Sequence, residues 1–161
     1  MICLDACIIG HALAPENSKV EAAELMAAKE LIDQVMGGGV TAVAPSILIS
    51  EVKWFTGRFT KSKGRTDFME RADEVEDLLP QALGKALRFT DVDFAIASLA
   101  ADYRLEHYSK KNPFSYNDGL YLATASIMGC DALITTDKHL LAVSDVPVFT
   151  PAGFLDSNSP K

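Results

Sequence analysis

The tightest constraint on the fold is the stretch 117–139, NDGLYLATASIMGCDALITTDKH. Leu120, Tyr121, Leu122, Ala123, Ala125, Ile127 and Met128 leave a helix there almost no polar face, so it must be buried, and Gly129 supplies a left-handed stop. Ala132, Leu133 and Ile134 then form a short unbroken apolar run, the pattern of a strand covered on both faces in a parallel sheet. Two aspartates mark the ends of these elements: Asp118 in the first turn of the helix, and Asp137 just past the strand, after Thr135 and Thr136. In open α/β sheets ligands bind outside the carboxyl ends of the strands, which is where Asp137 falls. Each acid also has a purely structural reading. Asp118 suits the positive end of a helix, and Asp137 suits the opening of a turn into Lys138 and His139.

The start of the chain repeats the pattern. Ile2, Cys3 and Leu4 form an apolar strand that ends in Asp5 and runs on into Ala6, Cys7, Ile8 and Ile9. Ser18 with Glu21 has the form of a capping box, and Val20, Ala23, Ala27, Leu31 and Val35 recur at helical spacing until the glycines at 37–39. Residues 40–44 read as a strand, and Pro45 suits the opening of a helix through Ile47, Leu48, Val52 and Phe55. Glu51 lies on that helix among mostly apolar neighbours, so its charge either faces solvent or is held inward for a purpose.

Residues 53–65 hold Lys53, Arg58, Lys61, Lys63 and Arg65 with no acid, interleaved with Trp54, Phe55 and Phe59. This is either a local contact site for phosphates or a solvated basic helix end. The acids at 67–77 belong to the next helix, whose buried stripe is Phe68, Ala72, Val75 and Leu79, and the two segments can neutralise each other. Further on, 87–92 reads as a weak strand and 94–103 as an alanine-rich buried helix. Residues 107–115 read as polar loop, with Lys110 and Lys111 as extra basic contacts, 146–149 as a last strand and 151–155 as a helical turn. One domain over 1–156 with a frayed tail at 157–161 is expected.

Composition narrows the function classes. A net charge of −7 argues against a polyanion binder that uses its whole surface, so any nucleic-acid contact must come from a local basic patch. The three cysteines, Cys3, Cys7 and Cys130, lack framework spacing and read as small core residues of a reducing compartment. His11, His107 and His139 are scattered without close cysteine partners, which disfavours zinc. Without a basic leader or an apolar run of membrane-spanning length, the chain is expected in the cytoplasm with no membrane contact.

Alternating strands and helices give an α/β class with a mainly parallel sheet. Asp5 and Asp137 end strands, Asp118 starts a helix on the same carboxyl edge, and Glu51 lies close enough to lean over it. Four acids on one edge repel unless a cation sits among them, and an all-oxygen ligand set points to Mg²⁺ or Mn²⁺. Such a site activates water and stabilises charge on a phosphoryl group, with the hydroxyls of Thr135 and Thr136 placed to orient an acid, a water or a phosphate. Neither a Gly-x-Gly-x-x-Gly after a strand nor a Walker loop is present, which disfavours dinucleotide chemistry.

Taken together, Ile2-Cys3-Leu4-Asp5, residues 46–51, Asp118-Gly119-Leu120-Tyr121-Leu122-Ala123-Thr124-Ala125, Thr135-Thr136-Asp137-Lys138 and the closing residues 151–155 resemble a PIN domain, in particular the VapC-like toxin ribonucleases. The resemblance covers essentially the whole chain. It implies a three-layer α/β/α fold, a Mg²⁺- or Mn²⁺-dependent endoribonuclease activity on RNA, a homodimer and a cognate antitoxin partner. The family's acids map onto Asp5, Glu51, Asp118 and Asp137, and its threonine onto Thr135. The chain departs from the family after the first acid, where Ala6 and Cys7 replace a small hydroxyl residue and a polar one. That departure favours one rival, a non-catalytic PIN-like module that binds RNA or protein. A phosphatase with Asp5 as nucleophile is a second rival, but a second acid two residues on is wanted there, and the chain has Cys7.

Overall fold

The three middle strands of the central sheet are built from residues with no exposed face. In the computed structural model, which describes residues 1–13, 20–83, 86–111 and 113–158, β1 (Ile2–Leu4), β2 (Ala42–Pro45) and β4 (Ala132–Ile134) are buried at every position. Burial of consecutive residues means both sheet faces are covered, as the unbroken apolar runs require. With β3 (Leu87–Thr90) and β5 (Val148–Phe149) the order is β3-β2-β1-β4-β5, and every pairing is parallel. The expected mainly parallel sheet is therefore wholly parallel. Helices flank it: α6 (Tyr116–Ile127) packs on β1, β2 and β4 with α5 (Phe94–His107) against it, while α1 (Ala6–Leu13) packs on α2 (Ala22–Met36) and α3 (Ile47–Ser62). In addition, α4 (Phe68–Leu83) pairs with α3, α7 (Lys138–Leu141) precedes β5, and α8 (Pro151–Asn158) lies on α2 and β5.

Strand order fixes where a site can form. From β1 the chain moves to β2 and β3 on one side and later returns to β4 and β5 on the other, so the crevice between the carboxyl ends of β1 and β4 is the topological switch point. The register sets Leu4 beside Ile134, which brings the next residues, Asp5 and Thr135, side by side. Asp5 and the segment 135–137 thus meet at the switch point although 130 positions separate Asp5 from Thr135.

The buried helix of 117–139 forms as expected, with Gly119 through Ala125 enclosed and Gly129 in the left-handed region at φ 62°. Gly119 also marks the crossing of α5, because a Cβ there would stand 2.5 Å from the Ala100 carbonyl oxygen. Several boundaries differ from the sequence reading. Val40 and Thr41 precede β2 rather than joining it, and Pro45 closes that strand instead of opening α3, which starts at Ile47 after Ser46. β3 ends at Thr90. α5 runs one turn further than expected, to His107, whose ring stacks on Tyr103 and tilts against Phe114, so His107 is helix rather than loop. α8 carries on through Ser157 to Asn158. The capping serine Ser18 and residues 159–161 of the expected tail lie outside the described residues. Among the described residues no helix is long and apolar enough to cross a membrane.

Candidate active site

Asp5 is the most buried of the four acids. It sits at the turn from β1 into α1, where its Oδ1 accepts from the Cys7 backbone N–H at 3.2 Å and its Oδ2 from the Thr135 hydroxyl at 2.5 Å. Burial pushes its carboxyl from 3.8 up to about 6, although these bonds favour the ionised form; the charge of Glu51 adds to the rise. The sequence offers little polar capacity in Ala6 and Cys7. The structure supplies it instead from Thr135 on the neighbouring strand, whose Oγ1 also accepts from Asp137 N–H at 2.9 Å.

Glu51 is held inward. One turn into α3 it faces α6, where Asn117 Nδ2 donates to Oε1 at 2.8 Å and the Tyr121 hydroxyl donates to Oε2 at 2.5 Å. Burial, together with the charges of Asp5 and Glu51, holds the Tyr121 phenol well above its ordinary value, so it stays a donor. Asp118 and Asp137 both take up their structural, helix-capping readings. Asp118 closes a capping box with Ser115, accepting from the Ser115 N–H at 2.6 Å while Ser115 Oγ accepts from the Asp118 N–H at 3.0 Å. Asp137 caps α7, accepting from the His139 N–H at 2.7 Å. Both also line the same cleft of about 290 Å³ that Asp5 and Glu51 line.

Four elements therefore send one carboxylate each to a single cleft, with Thr135 buried beneath it. Among the described residues, the trio whose donor atoms all lie within 4.8 Å of one another is Glu106, His107 and Asp145, none of which lines the cleft. In that trio His107 pairs with Asp145 at 2.9 Å and ties the end of α5 to the segment before β5. The cleft acids stand further apart, each engaged with its own donors. The donor set still fits a hard divalent cation: all oxygen, four carboxylates, and one of them buried at a cost that a nearby positive charge would relieve.

Sequence reasoning missed four cleft residues, among them Tyr121, read as core, whose hydroxyl holds Glu51. Cys7, read as core, is half-buried there, with its sulfur 3.4 Å from the Thr136 N–H. One helical turn on, His11 Nε2 lies 2.7 Å from the Thr136 hydroxyl, and partial burial lowers the imidazole's pKa. Phe55, read as part of an apolar helix stripe, is 47% exposed and forms part of the cleft wall. The signal available was spacing: Cys7 and His11, like Glu51 and Phe55, stand four apart on a helix and so share a face.

The basic stretch is partly neutralised. Lys53 pairs with Asp73 at 2.9 Å, and Arg65 grips Asp67 through two bonds, which hold the Asp67 carboxyl down at about 2. Lys61 lies over the Phe68 ring and Lys63 over the Phe59 ring. Arg58 is exposed on α3.

The PIN domain family model matches residues 2–146. No curated protein sequence is significantly similar to the chain. Among solved structures, FitAcB from Neisseria gonorrhoeae superposes with a TM-score of 0.63 at 19% identity, covering 94% of this chain and 98% of that one. VapC20 from Mycobacterium tuberculosis, a sarcin-ricin loop cleaving toxin, gives 0.62 at 14% identity over 88% and 94%. VapBC2 from Rickettsia felis, bound to a DNA fragment from its promoter, gives 0.62 at 16% identity over 93% and 98%.

Proposed function

Because this chain belongs to the PIN domain family, we propose that it is a Mg²⁺- or Mn²⁺-dependent endoribonuclease, the toxin of a toxin-antitoxin pair, acting as a cytoplasmic homodimer. The observation that carries the reading is the convergence of Asp5, Glu51, Asp118 and Asp137 on one cleft at the topological switch point. These four acids would hold the ion, which when bound lowers the pKa of water and stabilises charge on a phosphoryl group. The chain's own part is positioning. Thr135 fixes the Asp5 carboxylate, Asn117 and Tyr121 fix that of Glu51, and the caps of α6 and α7 fix Asp118 and Asp137, so little reorganisation is left for the reaction. His11 and the Thr136 hydroxyl at the cleft wall add donors for phosphate oxygens. The similarity in fold to VapC20 and to toxin-antitoxin assemblies supports the antitoxin partner and the RNA substrate.

The test is cleavage. Purified protein is expected to cut single-stranded RNA internally in Mn²⁺ and to stop in EDTA. RNA bound tightly but left uncut in Mn²⁺ would instead establish the non-catalytic binding module, which Cys7 in place of a polar residue favours.

A further inference from the structure

Phe55 stands out among the exposed apolar residues because it lines the cleft, and exposed Trp54 precedes it on α3. Phe55 is 47% exposed and Trp54 65% exposed, an unusual placement for large aromatic rings, and Phe55 is itself part of the wall that the acids line. Glu51, Phe55 and Arg58 follow one another at i, i+4 and i+7 on α3, so they form one row along its face. Along the helix axis the Cα atoms rise about 6 Å from Glu51 to Phe55 and about 4.5 Å from Phe55 to Arg58. Trp54, Arg58 and Lys61 form a second row beside the first. A ring followed by a cation matches a base and an adjoining backbone phosphate of a single strand.

Resting on the ribonuclease reading, we infer that Phe55, flanked by Trp54 and Arg58, stacks on the unpaired base next to the scissile phosphate and restricts the substrate to single-stranded RNA. A base in a duplex has both faces covered by its neighbours, so the ring has nothing to stack on until that base is unstacked. Stacking depends little on base identity, so this contact selects for strandedness rather than sequence. The other cations of the stretch contribute less, since Lys53 and Arg65 are paired with Asp73 and Asp67.

The chain has a single tryptophan, so Trp54 reports directly on the row. A short single-stranded RNA is expected to quench its fluorescence, and the same sequence annealed into a duplex is not. By anisotropy of labelled RNA, Phe55→Ala should weaken single-strand binding roughly tenfold or more, Phe55→Trp should restore it, and Phe55→Leu should not. An oligonucleotide with an abasic site beside the cleaved bond should bind wild type and Phe55→Ala alike. If Phe55→Ala binds and cuts single-stranded RNA as wild type does, and RNA leaves Trp54 fluorescence unchanged, the inference is overturned. The exposed pair is then a protein-docking surface, while the ribonuclease reading stands. If wild type neither binds nor cuts RNA, both fall together.

Discussion

Asp118→Asn is expected to cut RNA at least about a thousandfold more slowly than wild type while melting within a few degrees of it. Losing one carboxylate from a divalent-cation site removes several kcal/mol of transition-state stabilisation, and about 4 kcal/mol corresponds to that factor. The fold should tolerate the change. The Asn carbonyl can still accept from the Ser115 N–H that Asp118 now takes at 2.6 Å, so only the charge at the helix N-terminus is lost, at about 0.3–1 kcal/mol. Asp118→Ala separates the two roles. It removes the capping acceptor and costs about 1 kcal/mol of stability, yet its activity should match that of Asp118→Asn. Initial rates on a fluorescent RNA, alongside thermal melts of both variants, check this. Turnover equal to wild type in Asp118→Asn would leave the residue as a helix cap and nothing more.

The second large effect is a reversal of stability at Asp5. Its folded-state pKa of about 6 lies above the ordinary 3.8, so between about pH 4 and 6 the folded chain holds a proton that the unfolded chain releases. Metal-free stability therefore falls as pH rises through that window, by about 3 kcal/mol in all. In EDTA at pH 7 Asp5→Asn escapes the penalty. The amide offers one acceptor where the carboxylate uses two, for Cys7 and Thr135, so part of the gain is returned and the net is about 1–2 kcal/mol. For a chain of this length that is a melting temperature roughly 2–8 °C above wild type, a difference that closes and then reverses as pH falls from about 6 to about 4. Excess Mn²⁺ should reverse the order, since at a hundred times the dissociation constant it adds about 2.7 kcal/mol to the chain that keeps its site. Melts of both proteins across pH, with EDTA and then with Mn²⁺, read both halves. A variant less stable in EDTA, with equal gains from Mn²⁺, would make Asp5 a structural turn residue.

Much of this was legible because it depends on local pattern. A helix with almost no polar face, a glycine stop and a short apolar strand admit few placements, and 117–139 takes the expected one. The acids at strand ends were legible for the same reason, since a parallel sheet has only one carboxyl edge. What depends on pairing between distant segments was not legible. The Thr135 hydroxyl was legible as one that could orient an acid, a water or a phosphate, but only the pairing of β1 with β4 shows that it holds the buried Asp5 carboxylate. Tyr121 reads as core from its neighbours, and only the approach of α3 shows its hydroxyl holding Glu51. Neutralisation of the basic stretch by the following acids was legible, but which cations it takes was not: α4 folding back on α3 pairs Lys53 with Asp73, while Arg58 stays exposed. The extra turn of α5 likewise comes from a tertiary contact, His107 packing between Tyr103 and Phe114.

Four carboxylates from four elements are proposed to form one cation site. Calorimetric titration of Mn²⁺ into metal-free protein tests it most directly, using wild type and the single variants Asp5→Asn, Glu51→Gln, Asp118→Asn and Asp137→Asn. Wild type should bind Mn²⁺, and every variant should bind it at least about tenfold more weakly, since even partners that only orient a ligand change affinity by 10- to 100-fold. Mn²⁺ affinity the same in all five proteins, or no binding by folded wild type, would contradict the account.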